Sequence, residues 1–372
     1  MRVRGIAFAV ALVVLLFLGL GLGGHASAAD PLAGWHPVEL EWQKRFQGAG
    51  SWGWIMRAIS ALGPGSVLAA MVAALFYGYD ARLATRLALL MFVSLWFREL
   101  LALGLESPRP FWLEPRLRTF GDSAVKISRF GLPSGHALVA SAFWFRVALA
   151  LAVALPRARA MALTAAGVLV AAIAVSRVYL GVHFISDVVA GIAVGVPLGL
   201  LSRRWEDRVE GWYGAMDRAA RMRWSFVVGL AMGMLGAAVR WTCSSAVLPT
   251  AWGTYGAQAQ TLRVFFELGG TVSGVGLGLA MLGEWPGAGG PWWRRGLRIL
   301  VAGALVKWGL RDPLAAAITR GLAEQPELLR CAATFASGVL QGWVIWGGLP
   351  WLYLRTGWTS SDGRIGTELS GS

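Results

Sequence analysis

Nine apolar segments, most of them about 20 residues long, dictate what this chain can become, because that is the length that crosses a bilayer core as a helix. They fall near 60–79, 84–104, 137–155, 159–180 and 184–202, then near 225–242, 264–283, 296–311 and 333–354. Lipid offers no water to backbone N–H and C=O groups, so such segments must satisfy themselves as helices. The expected fold class is therefore an all-α polytopic membrane protein, with a first set of five helices and a C-terminal set of about four. Composition agrees: of 372 residues, 56% are hydrophobic and only 15% charged, where a soluble domain carries roughly a quarter charged. The formal charge of +14 does not imply nucleic acid. The basic residues form short runs between apolar segments, the pattern of loops held at a membrane surface.

The ends and linkers divide the chain further. Arg2 and Arg4, the apolar run Gly5 to Gly23, and small residues at Ala26 and Ala28 read as a signal peptide over 1–28, with an uncleaved first span as the alternative. Residues 29–59 carry Trp35, Trp42, Phe46, Trp52 and Trp54 and read as an interfacial segment with aromatic anchoring. Residues 206–224, rich in both charges, read as a cytoplasmic loop between the helix sets, with a helix lying on the membrane as the alternative, and 357–372 as a disordered Gly/Ser-rich tail. Glycines at 191, 195 and 199, and again at 270, 274 and 278, read as close-packing positions between helices.

Loop charge sets the orientation. Arg82, Arg86, Arg157, Arg159, Arg203, Arg204, Arg208 and Arg294 fall on one side, which the positive-inside rule makes cytoplasmic. The loops around 106–135 and Gly181 then face outward, in a bacterial-type inner membrane. Cys243 and Cys331 share that outer compartment, so a disulfide between them is expected. Arg240, Glu267 and Lys307 fall near the outer ends of the second set. They read either as interfacial ion pairs or as part of a headgroup pocket.

Three clusters on the outer side carry chemistry. Ser176-Arg177, then His183 and Asp187, puts a carboxylate four residues from an imidazole, a helical spacing at which Asp187 orients His183. Pro133-Ser134-Gly135-His136 opens the third span, where Ser134 is a good N-cap and unpaired helix N–H groups suit an anion. Pro108-Arg109-Pro110 follows the second span. Together these supply two arginines, a hydroxyl, helix donors, two histidines and a carboxylate. That set suits a phosphate ester whose charge is neutralised by guanidinium groups, and it contains no metal-ligand pattern.

The pattern resembles the type 2 phosphatidic acid phosphatase superfamily, in its membrane branch, which shares its catalytic fold with vanadium haloperoxidases. The resemblance covers 60–205 and rests on P-S-G-H at 133–136 and S-R-x5-H-x3-D at 176–187. It implies a helical-bundle phosphatase core; the additional transmembrane helices over 225–356 lie outside the resemblance and are read from their apolar segments. It implies that His183 is the nucleophile, that Asp187 activates it, and that His136 is the general acid. Arg109, Ser134, Gly135 and Arg177 would bind the phosphoryl oxygens, with no cofactor or metal. The family's first motif, K-x6-RP, is incomplete: its lysine position is Ala102. Arg98, Lys126 or Arg129 is expected to supply the missing charge. The implied reaction is metal-independent hydrolysis of a lipid phosphate or lipid pyrophosphate through a phosphohistidine. Polyprenyl pyrophosphate, phosphatidylglycerol phosphate and phosphatidic acid are the candidate substrates. Phosphotransfer from the same intermediate, or anionic-lipid binding at a degenerate site, are the alternatives. The sequence sets no oligomeric state.

Overall fold

The structure, a computed structural model, describes residues 30–48, 50, 52–63, 66–117, 129–244, 247–305 and 310–365. The expected signal peptide, Lys126, Lys307 and the last seven residues of the tail lie outside the described residues.

Two short helices, α1 (His36–Gly48) and α2 (Gly53–Ser60), lead into α3 (Ser66–Gly78) and the long α4 (Ala81–Leu105). A single turn, α5 (Pro110–Leu113), precedes α6 (Gly135–Ala154), α7 (Arg159–Tyr179) and α8 (Ile185–Gly214). The second half comprises α9 (Arg218–Cys243), α10 (Gly253–Ala259), α11 (Arg263–Leu282), β1 (Glu284–Pro286), α12 (Trp292–Ala304), α13 (Asp312–Gly321), α14 (Glu327–Trp343), α15 (Leu349–Arg355) and β2 (Ser361–Arg364). Among the described residues, seven helical stretches are long and apolar enough to span a membrane: Ala81–Leu113, Gly135–Ala154, Pro156–Tyr179, Ile185–Gly214, Arg218–Cys243, Thr250–Leu282 and Glu327–Arg355. The protein is a multi-pass, all-helical membrane protein.

Four expectations change. Among the described residues, the segments near 60–79 and 296–311 hold α3 and α12, of 13 residues each, about 20 Å of helix, and neither is among the seven stretches. The cytoplasmic loop over 206–224 is mostly helix, because α8 continues to Gly214 and α9 begins at Arg218. Ion pairs hold that polar end helical: Arg82 and Arg86 each lie 2.5 Å from Glu210, and Arg146 lies 2.6 Å from Glu206. The side chain of Asp217 then caps α9 by accepting from Ala220 N at 2.7 Å. The tail is partly ordered, since β2 pairs antiparallel with β1. Finally, both cysteines are free. Cys331 is buried with Phe266 and Phe335, whereas Cys243 packs in a separate cluster with Val239 and Trp252.

The glycine spacing places the site. A Cβ on Gly195 would stand 2.2 Å from Leu138 O, and one on Gly191 would stand 2.8 Å from Ser134 O. Only glycine lets the backbones of α6 and α8 approach so closely. That contact brings the start of α6 beside the start of α8. In the second half, a Cβ on Gly270 or Gly274 would lie 2.2 Å from the carbonyl of Phe335 or Val339, so α11 packs on α14 by the same device. Helix α4 touches both halves, through α6 on one side and α9 and α11 on the other.

Candidate active site

The polar ends of α4 and α8 lie at one pole, and the three sequence clusters meet at the other. Helix α7 ends at Tyr179, and the chain turns through Gly181, at φ 73°, before α8 begins at Ile185. His183 sits in that turn rather than on a helix. This corrects the helical-spacing argument. Asp187 reaches back from the first turn of α8, where its Oδ2 accepts from Phe184 N and from His183 Nδ1, both at 3.0 Å. A carboxylate there also suits the positive end of the helix.

The other ring nitrogen of His183 fixes the tautomer. Arg109 Nη1 lies 3.1 Å from His183 Nε2. A guanidinium only donates, so Nε2 accepts with its lone pair and Nδ1 carries the proton donated to Asp187. Both side chains are buried, Asp187 completely. Burial lowers the affinity of His183 for a second proton, and the nearby charges of Arg109, Arg177 and Arg98, then His136, lower it further. His183 is thus neutral, oriented and faced by positive charge.

The phosphate-type groups surround it. Arg109 also donates to Arg129 O at 2.6 Å and to Val182 O at 2.8 Å, which holds its fork rigid. Arg177 donates from Nη1 to Ser60 Oγ at 2.7 Å, while its Nε is buried without a partner. Ser134 stands at the N-cap of α6, but its hydroxyl makes no capping bond and is buried without a partner. Its backbone N–H instead donates to Asp187 O at 2.9 Å. Buried polar atoms are nearly always paired, so an unpaired hydroxyl and guanidinium N–H beside a neutral histidine fit an incoming anion. Gly135, next to Ser134, presents the first residue of α6. The ring of His136 packs over Gly63, where a Cβ would come within 3.0 Å of its Cδ2.

Residues 83–210 match the sequence profile described as PAP2 superfamily. Phosphatidylglycerophosphatase B of Bacillus subtilis (strain 168) is 33% identical over 102 residues, 27% of this chain. The chain spans half the length of that curated relative. A solved structure, a transmembrane PAP2-type phosphatidylglycerolphosphate phosphatase from Bacillus subtilis, is 24% identical, with 54% of this chain and 96% of that one covered at a TM-score of 0.41.

Within the matched residues, Ala102, at the lysine position of the K-x6-RP motif, is buried among Leu100, Leu103 and Phe111. Arg98, one helical turn earlier, enters the site instead. It is 2% exposed and donates to Pro133 O at 2.9 Å and to Phe130 O, bracing the loop that carries Ser134. Glu99 lies 3.0 Å from Arg98 and 2.6 Å from Arg129. The side chain of Arg129 is therefore turned to Glu99, whereas Arg98 braces the Ser134 loop.

Three contributions were not legible as function. Helix α1 is not merely an interfacial anchor, because Gln43 donates to Val178 O at 2.6 Å and His183 O at 3.1 Å, capping the end of α7 and holding the His183 turn. Gln47 adds a bond to Tyr179 O at 2.8 Å. Glu39 accepts from Ser186 N at 2.7 Å, and His36 stacks on Phe184 with ring centroids 4.2 Å apart. Burial alone lowers the proton affinity of His36, but its bonds to Asp30 and Glu39 outweigh that and raise its pKa to about 9. The second half also braces the Arg109 loop. Trp112 stacks on Tyr255 at 5.7 Å and packs against Trp252 and Phe130. A surplus of polar, chain-distant side chains in 36–47 was the only available signal for α1.

Proposed function

We propose that the protein hydrolyses a phosphate or pyrophosphate ester of a membrane lipid at the extracytoplasmic face, through a phosphohistidine on His183. The observation that carries this reading is the double hold on His183: Asp187 on Nδ1 at 3.0 Å and Arg109 opposite Nε2 at 3.1 Å. Nε2 is then the nucleophile. Its lone pair attacks phosphorus, the bond from phosphorus to the lipid oxygen breaks, and His136 gives that oxygen its proton. His136, now neutral, takes a proton from water, whose oxygen attacks phosphorus. The P–N bond breaks, and His183 recovers its lone pair. Arg109, Arg177, the Ser134 hydroxyl and the amide of Gly135 neutralise the phosphoryl oxygens, whose charge grows in both transition states. Asp187 steadies the imidazolium-like charge that His183 carries while bonded to phosphorus.

The extracytoplasmic face is supported by arginines 82, 86, 203, 204 and 208, which lie at the pole opposite the site. The named activity of the Bacillus relative makes phosphatidylglycerol phosphate the first substrate to test, ahead of phosphatidic acid and polyprenyl pyrophosphate. The test is phosphate release from these lipids by purified protein, with and without a chelator. Wild type is expected to release phosphate from at least one lipid in both conditions, and His183→Ala from none. Release that survives His183→Ala would refute the reading.

A further inference from the structure

A cavity of about 490 Å³ opens in the second half, outside the matched residues. Arg240, from the end of α9, Arg263, from the start of α11, and Arg330, from the first turn of α14, converge on it. Glu327 is the one carboxylate in its lining among the described residues. That carboxylate is already taken by Arg240 Nη1, at 2.8 and 2.7 Å from its two oxygens. Arg263 and Arg330 have no carboxylate within ion-pair distance among the described residues, and Arg330 Nε is buried with no hydrogen-bond partner. Three guanidinium groups therefore line a cavity whose single carboxylate is already paired, which leaves its wall with a surplus of positive charge and unused planar donors. The volume is within the range of small-ligand sites and exceeds what one phosphate fills.

The cavity also adjoins the catalytic loop. Gln260, in its wall, donates to Glu106 Oε1 at 2.7 Å. Glu106 closes α4 in a left-handed conformation, at φ 45°, three residues before Arg109. We infer that Arg240, Arg263 and Arg330 form a second anion site, separate from the His183 centre, that takes a phosphate group. The group is carried either by a lipid headgroup or by free inorganic phosphate. Planar guanidinium forks match phosphate oxygens in pairs.

The experiment counts radiolabelled inorganic phosphate bound to the full-length protein in nanodiscs, comparing wild type with the double variant Arg263→Gln, Arg330→Gln. In phosphatidylcholine nanodiscs wild type is expected to bind two equivalents. The double variant is expected to keep the catalytic equivalent and to weaken the second on the order of 10–100-fold, the loss expected for charge-assisted hydrogen bonds. If the double variant is not monodisperse, Arg330→Gln alone gives the measurement. Repeating the count in phosphatidylglycerol nanodiscs separates the sources: loss of the second equivalent identifies a lipid headgroup, and its persistence identifies free phosphate. A single equivalent or two equivalents in wild type that the substitutions leave unchanged overturn the inference, whereas a single equivalent that the substitutions weaken keeps it and counts against phosphate binding at the His183 centre.

Discussion

His183 is held between a carboxylate and a guanidinium, and its chemistry follows from that position. In the proposed reaction the neutral form is the one that attacks. Burial and the charges of Arg109, Arg177 and Arg98 hold its pKa well below the ordinary imidazole value of 6.5, so the ring stays neutral to a lower pH than a free histidine would. The acidic limb of kcat/KM should lie below pH 6.5, and Arg177→Gln should move it upward even as the rate falls. A limb unmoved by that substitution would mean that a different group titrates. Arg98 is the second residue to test. Arg98→Gln should lower turnover on the order of 10²–10³-fold, the cost of one transition-state donor, whereas unchanged turnover would show that the loss of the motif lysine is not compensated there. At this scale the sequence pointed to the right neighbourhood: residues of the three motifs meet through His183–Asp187, His183–Arg109 and Ser134 N–Asp187 O contacts. It misled on mechanism, because the Asp187–His183 contact comes from a turn meeting a helix start and not from one helix face. Nor did it reveal that the Ser134 hydroxyl is left uncapped.

At the scale of elements, the site depends on two close contacts. The first is α6 against α8. Gly195→Val should separate these helices and cost both fold and activity, because overpacking a tight contact costs about 1–3 kcal/mol or more. Gly211→Val, on the same helix but with nothing within 4 Å of its added Cβ, should do little. Thermal stability in detergent reads both variants, and equal effects would contradict the packing argument. The second contact is α1 against the His183 turn. Gln43→Ala leaves two buried carbonyls without their donor and should cost about 1–3 kcal/mol. The His36 pair gives this contact a pH dependence. Its folded pKa, about 9, is raised above the unfolded value of 6.5, so the stabilisation is fully present below pH 6.5 and is lost as pH rises through about 9. Hydrogen exchange in 36–48 should accelerate over that window in wild type, and His36→Gln should remove the dependence. The glycine spacing made the first contact readable in advance. The second was not, since α1 meets the turn across more than 130 residues of sequence and no periodicity links the two.

Across the whole molecule, the two helix sets are not independent. Helix α4 packs on both, and the loop bearing Arg109 rests its Trp112 on Tyr255 and Trp252 of the second half. Apolar runs reveal helices well: they gave nine spans, and seven stretches among the described residues are long and apolar enough. They also placed a loop where ion pairs to Arg82, Arg86 and Arg146 extend α8. Length and hydropathy do not report which charges find partners. The proposed reaction turns on one atom, Nε2 of His183. The most direct measurement is a rapid quench of wild type with a lipid bearing a radiolabelled phosphate, followed by exposure of the trapped protein to acid and to alkali. The label should be attached to the protein, be lost in acid, survive alkali and be absent from His183→Asn. A label that resists acid, or one that persists in His183→Asn, would contradict histidine as the nucleophile.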